Sequence, residues 1–126
     1  MVDILNISEK LFMQMVMDAA RTLGWLVYHT HDSRRSEPGF PDLVMVWGKG
    51  EHDNRIIFAE LKSEKGKVKK EQEAWLKALA KNPGVDVFVW RPHEWDDIVL
   101  ELAEHEQISP NRRKVEEVIR YGEKDY

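Results

Sequence analysis

Residues 41–62 read PDLVMVWGKGEHDNRIIFAELK and contain two apolar segments separated by a polar one. The apolar segments, 43–47 and 55–62, have the length of strands, and the second has β-branched and aromatic residues at its centre. Both features predict β-strands. The intervening residues 48–54 contain glycine and asparagine and predict a hairpin-like turn, so we expect the two strands to be neighbours in one sheet.

Charged side chains stand at one end of this strand pair. Asp42 directly precedes the first strand, and Glu60 and Lys62 lie near the end of the second. Alternate residues of a strand point to the same face, so Glu60 and Lys62 project together, on the face that Ile56 and Phe58 occupy earlier in the strand. If the strands are antiparallel, Asp42 comes close to Glu60. Two carboxylates and one ammonium then meet at one rim of a sheet.

The residue types at this rim suit phosphodiester hydrolysis. Hard divalent cations such as Mg²⁺ prefer carboxylate and carbonyl oxygens. A metal ion held there would polarise a phosphoryl oxygen and lower the pKa of a bound water, while the lysine would position that water or stabilise the charge that develops on the phosphate. From these residues alone a second interpretation stays open: an aspartate at a turn, followed by an exposed Glu–Lys pair at a strand edge.

The rest of the chain predicts an α/β domain. Apolar residues recur at helical spacing between Ser8, a potential N-cap, and Gly24, a potential stop. In chain order the patterns predict a helix over 8–23, strands over 25–30, 43–47 and 55–62, a helix over 71–81, a strand over 85–90 and a helix over 94–106. This αβββαβα order predicts a central mixed β-sheet flanked by helices. We expect residues 1–108 to form this domain and the charged residues 109–126 to be a C-terminal extension with a short helical pattern.

Composition limits the class of protein. The chain has 126 residues, 42% of them hydrophobic, which is enough for one core and too few for two. It has no cysteine, which excludes disulfides and thiol catalysis and is typical of a cytoplasmic protein. No apolar segment approaches the roughly 18 residues of a membrane span, and the first ten residues lack the apolar centre of a signal peptide, so we expect no membrane association and no export.

The net charge of −4 is unevenly distributed. Residues 93–106 contain six acidic residues and no lysine or arginine, whereas residues 62–70 contain five lysines and one glutamate. The average charge therefore does not exclude a nucleic-acid partner. We expect the acidic helix to face away from DNA.

Several motifs, in order and at the right spacing, resemble the VRR-NUC domain of the PD-(D/E)xK nuclease superfamily. They are Gly24–Thr30 (GWLVYHT), Gly39–Val44 (GFPDLV), Phe58–Ser63 (FAELKS), Gln72–Leu76 (QEAWL) and Val87–Pro92 (VFVWRP). The resemblance extends over roughly residues 8–98. It implies a restriction-endonuclease-like αβββαβ core and Mg²⁺ or Mn²⁺ as the cofactor.

The resemblance also implies a role for each matching residue. Asp42 and Glu60 would be catalytic metal ligands, together with Glu9 and the backbone carbonyl of Leu61. Lys62 would be the catalytic lysine, and Gln72 would orient water or phosphate at the edge of the site. The residues alone leave other interpretations open: Glu9 is also an acid that suits the first turn of a helix, Gln72 an exposed helical residue, and nearby Trp75 a core residue.

Basic residues on both sides of the site are candidates for DNA contact. They are His31, Arg34 and Arg35 in one loop and Lys65, Lys67, Lys69 and Lys70 after the second strand of the pair. Lysine clusters commonly contact phosphates, although a solvated charged surface is the alternative for both groups. Lys69 stands where many relatives have a small hydroxyl residue that caps the next helix. The spacing of His29 and His31 would suit zinc, but no third clustered ligand accompanies them.

Together these features predict a metal-dependent, structure-specific DNA endonuclease. Stand-alone members of the family resemble phage or bacterial Holliday-junction resolvases that act as homodimers, so we expect a four-way DNA junction as substrate, a homodimer, and no nucleotide cofactor. The alternatives are a flap-type or broad-specificity metal-dependent DNA nuclease and a non-catalytic DNA-binding accessory module.

Overall fold

The computed structural model describes residues 3–31, 35–49 and 54–104. The main elements in chain order are α1 (Glu9–Thr22), β1 (Leu26–His29), β2 (Leu43–Trp47), β3 (Arg55–Leu61), α2 (Lys70–Ala80), β4 (Val85–Trp90) and α3 (Trp95–Ala103). The predicted αβββαβα order is confirmed. Arg34 and the predicted extension 109–126 lie outside the described residues.

The four strands form one mixed sheet in the order β1-β2-β3-β4. β1 pairs antiparallel with β2, and β2 pairs antiparallel with β3, with Leu43 opposite Ala59. β4 returns parallel to β3, as a strand reached through a helical crossover does. The predicted hairpin-like pair is therefore β2 and β3, with β1 and β4 as the two edge strands among the described residues.

Helices cover the sheet on both faces. The larger core lies between the sheet and α1 and α3, and it takes the alternate β3 residues Ile57, Ala59 and Leu61, all fully buried. The smaller core lies under α2, where Leu76 packs with Val87 and Val89. This two-sided burial explains why β4 reads as a nearly continuous apolar segment.

Details at the ends of elements differ from the sequence prediction. Two short 3-10 helices, Ile4–Asn6 and Pro92–Glu94, were not predicted, because single turns of this kind have no periodic pattern. Leu76, rather than Trp75, is the α2 residue that is fully buried against the sheet. No helix among the described residues is long and apolar enough to cross a membrane.

A buried ion pair fixes α3 at the end of β3 opposite Glu60. Arg55 begins β3, is 4% exposed and pairs with Asp86 of β4. Its Nη2 lies 2.6 Å from Oε2 of Glu101, and its Nη1 donates to the carbonyl oxygens of Glu101 and Glu104 at 3.2 and 2.9 Å. Arg55 thus neutralises part of the acidic α3 and satisfies carbonyl groups at its C-terminal end.

Candidate active site

The end of the β2–β3 pair brings two carboxylates together. Because Leu43 pairs with Ala59 in antiparallel register, Asp42 and Glu60 follow directly on the same side of that pair. Oδ2 of Asp42 accepts a hydrogen bond of 2.8 Å from the backbone N–H of Leu61. This bond joins Asp42 to β3 where the regular ladder ends, and it fixes the direction of the carboxylate.

Glu60 and Lys62 are buried rather than exposed at the rim. Glu60 is 1% exposed and Lys62 is 5% exposed, with Nζ of Lys62 lying 3.6 Å from Oε2 of Glu60. Oε1 of Glu60 is buried and has no hydrogen-bond donor among the described residues. A buried carboxylate oxygen without a donor is energetically costly unless a proton or a cation compensates it.

The start of α1 contributes a third carboxylate. Ser8 is the N-cap of this helix, with its hydroxyl oxygen accepting a hydrogen bond of 3.1 Å from the N–H of Leu11. The next residue, Glu9, has a carboxylate oxygen within 4.8 Å of those of Asp42 and Glu60. The preference for an acid at a helix N-terminus and a role in the site are therefore compatible for Glu9.

Gln72 connects α2 to Glu60. Its Oε1 accepts a 2.8 Å hydrogen bond from the backbone N–H of Lys69, and its Nε2 donates to Oε2 of Glu60 at 3.0 Å. Because a backbone N–H can only donate, the amide oxygen must face Lys69, which leaves the NH₂ group for Glu60. A lysine ammonium cannot accept a hydrogen bond, so the Lys69 side chain does not cap the helix, and of the two reciprocal bonds of a capping box the chain has the one that Gln72 accepts from the Lys69 N–H.

Burial raises the pKa of all three carboxyl groups. For Glu60, burial and then the nearby charge of Asp42 raise the pKa to about 9, against the lowering effect of Lys62. For Asp42, burial raises the pKa, and the hydrogen bond from the Leu61 N–H opposes it. For Glu9, burial also raises the pKa, while the charge of Lys62 lowers it. One ammonium does not compensate three carboxylates that are held this close together.

The residues fit a divalent cation of the Mg²⁺ type. Oxygen atoms from three carboxylates lie within 4.8 Å of one another, and one of the carboxylates, Glu60, has a buried oxygen without a donor. Hard cations take carboxylate oxygens as ligands, and bound positive charge would offset the burial that raises all three pKa values and the repulsion by Asp42 that adds to it at Glu9 and Glu60. Among the described residues this is the one group of three or more acidic or histidine side chains that meets these distances, and it includes neither His29 nor His31.

The segment after β3 is held by residues that the sequence analysis did not assign to the site. Arg91 is 2% exposed, and its Nη1 donates to the carbonyl oxygens of Ser63 and Glu64 at 2.8 and 3.2 Å. The backbone N–H of His93 donates to Glu64 Oε2 at 2.8 Å. Arg91 and His93 therefore fix the chain immediately beyond Lys62. The available signal was Arg91 itself, a charged residue directly after the apolar β4.

The remaining predicted residues lie at the surface. Lys65, Lys67, Lys69 and Lys70 are exposed between β3 and the first turn of α2, which contains Gln72. His31 and Arg35 are also exposed, on either side of the undescribed residues 32–34. Their exposure is compatible with phosphate contact and equally with a solvated surface. Their contact with DNA, and the Leu61 carbonyl as a metal ligand, stay predictions.

A comparison with protein families matches the part of the chain that contains the carboxylate cluster. The family model described as the VRR-NUC domain matches residues 6–94, which is more than half of the chain and contains Glu9, Asp42, Glu60, Lys62 and Gln72. No curated protein and no solved structure matched the chain in the corresponding searches.

Proposed function

The chain belongs to the VRR-NUC domain family of nucleases, and from this premise we propose that it is a metal-dependent, structure-specific DNA endonuclease whose preferred substrate is a four-way junction. The main observation behind the proposal is that carboxylate oxygens of Glu9, Asp42 and Glu60 lie within 4.8 Å of one another. The ammonium of Lys62 lies 3.6 Å from Oε2 of Glu60. We further propose residues 1–108 as the nuclease domain and 109–126 as an extension.

Each side chain has a distinct role in this proposal. Glu9, Asp42 and Glu60, with the carbonyl of Leu61, would hold Mg²⁺ or Mn²⁺. A bound ion would supply positive charge to a phosphoryl oxygen and acidify a water molecule. The buried ammonium of Lys62 would stabilise the negative charge that develops on the scissile phosphate, or position the attacking water. Gln72 would keep the Glu60 carboxylate in a single orientation.

The basic residues around the site would bind the DNA backbone. The exposed Lys65, Lys67, Lys69 and Lys70 flank the strand that carries Glu60 and Lys62, and the exposed His31 and Arg35 precede Asp42 along the chain. Arg34, which lies outside the described residues, is proposed for the same role. Cationic side chains around a site of this kind hold phosphates without reading sequence. This property suits an enzyme that recognises DNA shape.

We propose a homodimer because the substrate is symmetric. A four-way junction has two-fold symmetry, and a dimer with C₂ symmetry would place two sites for paired incisions. Sedimentation of the protein with and without junction DNA checks this point. Paired, symmetric incisions by a species that sediments as a monomer would contradict the dimer and leave the nuclease assignment intact.

The nuclease activity is tested with four labelled substrates in parallel: a four-way junction, a flap, a linear duplex and a single strand, each with Mg²⁺, Mn²⁺ or EDTA. We expect metal-dependent, symmetric nicking of the junction. Equal cleavage of all four substrates would replace the junction assignment with a broad nuclease, and preferential flap cleavage would indicate a flap nuclease. Binding without cleavage in either metal would favour an accessory module.

Variants connect that activity to the site. Glu60→Gln removes a charged metal ligand and Lys62→Met removes the ammonium that would stabilise the transition state. Each should reduce the cleavage rate by about a hundredfold or more, and both variants should retain junction binding. The matched controls are Asp96→Asn and Lys81→Met, which change exposed residues of the same charge on α3 and beyond α2. Cleavage that survives both site variants would show that this cluster is not the active site.

A further inference from the structure

A cavity of about 340 Å³ lies outside the carboxylate cluster, and none of the three clustered carboxylates lines it. Its lining comes from β1, from the loop before β2 and from α2: Tyr28, Thr30, Ser36, Glu37, Phe40 and Trp75. We call it the aromatic pocket. Its volume is at the lower end of the range for small-molecule sites in proteins, roughly 300–1,000 Å³.

Aromatic rings form the walls of the aromatic pocket. Phe40 packs edge-to-face on Trp75, with the ring centroids 5.0 Å apart and an interplanar angle of 80°. Phe40 also meets Phe58 of the sheet at 6.0 Å and 84°. These contacts hold Phe40 and Trp75 in place, whereas Tyr28 on β1 is 56% exposed and presents its ring to solvent. The pocket is thus bounded by packed rings on one side and by an exposed ring on the other.

A close approach of the backbone holds the loop of the aromatic pocket against α2. Gly39 has φ +90°, and a Cβ atom at this position would lie 2.5 Å from the backbone carbon and oxygen of Glu71. A residue with a side chain could not bring Phe40 this close to the first turn of α2. The same loop therefore depends on glycine to place Phe40 against Trp75.

The aromatic pocket and the carboxylate cluster are connected through the short segment 40–42. Phe40 precedes Asp42 by two residues, so their Cα atoms are at most about 7 Å apart. Thr30, another lining residue, donates through its backbone N–H to the carbonyl of Asp42 at 2.8 Å and through its hydroxyl to the carbonyl of Pro41 at 2.6 Å. A nucleotide whose phosphate lies at Asp42 would have its base within reach of the pocket.

The polar groups of the aromatic pocket favour a base over a phosphate. None of the described residues that line it is a lysine or an arginine, and Glu37 adds a negative charge, so these residues disfavour a phosphate group. Carboxylate and hydroxyl oxygens accept hydrogen bonds from the exocyclic amino groups of bases. Aromatic side chains stack on unpaired bases in proteins that bind single strands.

We propose that the aromatic pocket binds an unpaired nucleobase next to the scissile phosphate. The proposal rests on the DNA nuclease function proposed above, and it adds a requirement for at least one unstacked nucleotide at the cleavage position. A branch point of DNA provides such a nucleotide at lower cost than an intact duplex does.

The test measures DNA binding rather than cleavage. The probe is a fluorescently labelled branched DNA in EDTA, in a set of versions that each replace one nucleotide near the branch by an abasic residue. We expect one or two adjacent abasic positions to weaken binding by the wild-type protein by roughly five- to a hundredfold, the range that corresponds to loss of one stacked base. Tyr28→Ala should bind all versions equally weakly, and Tyr28→Phe should discriminate as the wild type does.

Leu26→Ala is the matched control, because Leu26 lies two residues before Tyr28 on the same strand and is 73% exposed without lining the aromatic pocket. It should discriminate between the DNA versions as the wild type does. If Tyr28→Ala retains the wild-type discrimination while its circular dichroism and melting temperature are unchanged, or if no abasic position matters, the proposal is overturned. If Tyr28→Ala and Leu26→Ala both convert a dimer into a monomer and weaken all DNA versions alike, the face is an interface between two copies, and the proposal is likewise overturned.

These outcomes are distinguishable from failure of the proposed nuclease function. A protein that discriminates abasic positions but cuts no substrate in Mg²⁺ or Mn²⁺ would have the base site without the activity. A protein that cuts but does not discriminate would have the activity without the base site.

Discussion

Glu60 is the residue whose ionisation the fold opposes most clearly. Its folded-state pKa is raised to about 9 by burial and by the charge of Asp42, against an ordinary value of 4.5. The folded state therefore binds the proton more tightly than the unfolded state. The resulting stabilisation is fully present below pH 4.5 and is lost as the pH rises towards 9.

The corresponding prediction concerns the metal-free protein. In EDTA, the free energy of unfolding of the wild type should fall by on the order of a few kcal/mol between pH 5 and pH 9, and Glu60→Gln should lose less, because glutamine does not ionise. Urea unfolding across this pH range measures both. With saturating Mg²⁺ the wild type should be the more stable of the two at pH 9, since an ion that binds the folded state stabilises the wild type preferentially. Identical pH profiles in EDTA would contradict the assigned pKa direction.

At the scale of elements, the loop before β2 depends on its contact with α2. Gly39→Ala should destabilise the protein by about 1–3 kcal/mol, because the positive φ and the 2.5 Å approach to Glu71 both oppose a side chain. Thermal unfolding measures the loss. The control is Gly48→Ala, since a Cβ atom there has no neighbour within 4 Å among the described residues. Equal stability of the two variants would show that the loop before β2 can move away from α2 without a loss of stability.

The strand pairing could be predicted from the sequence, whereas several contacts between elements could not. Period-two patterns and a polar turn were sufficient to place Asp42 opposite Glu60, because register follows from the strand pairing itself. The burial of Lys62, the ring contacts of Phe40 and the bonds from Arg91 to the carbonyls of Ser63 and Glu64 were not predictable. They depend on how α2 and the chain after β4 pack against β3, and no local pattern records those contacts.

At the scale of the whole molecule, charge is distributed between two ends of the sheet. Asp86 and Glu101 of β4 and α3 surround Arg55 at one end, and Glu60 with Lys62 lies at the other. Arg55→Met leaves Asp86 buried without this partner and should cost about 3–5 kcal/mol of stability. The cleavage rate per folded molecule should not change. Chemical denaturation and single-turnover cleavage measure the two effects, and a selective loss of cleavage would contradict the separation of the two ends.

Salt dependence tests the surface between β3 and α2. Replacing Lys65, Lys69 and Lys70 by glutamine should reduce the slope of log affinity for branched DNA against log salt by about 2 to 3, close to one phosphate per lysine. Fluorescence anisotropy at several salt concentrations gives the slope. Lys81→Gln, an exposed lysine just beyond the C-terminal end of α2, is the single-site control and should leave the slope unchanged. An unchanged slope in the triple variant would assign these lysines to solvent.

The position of β1 at the edge of the sheet, among the strands that the structure describes, has a consequence for the behaviour of the protein in concentrated solution. β1 has only four residues, one side of it pairs with β2, and Leu26 and Tyr28 are both exposed on it. Unpaired peptide groups along a sheet edge attract further strands, and exposed apolar side chains strengthen that attraction, whereas a short edge limits it. Aggregation on storage should therefore begin at this strand. The substitution Leu26→Lys should raise the solubility of the protein without loss of the fold.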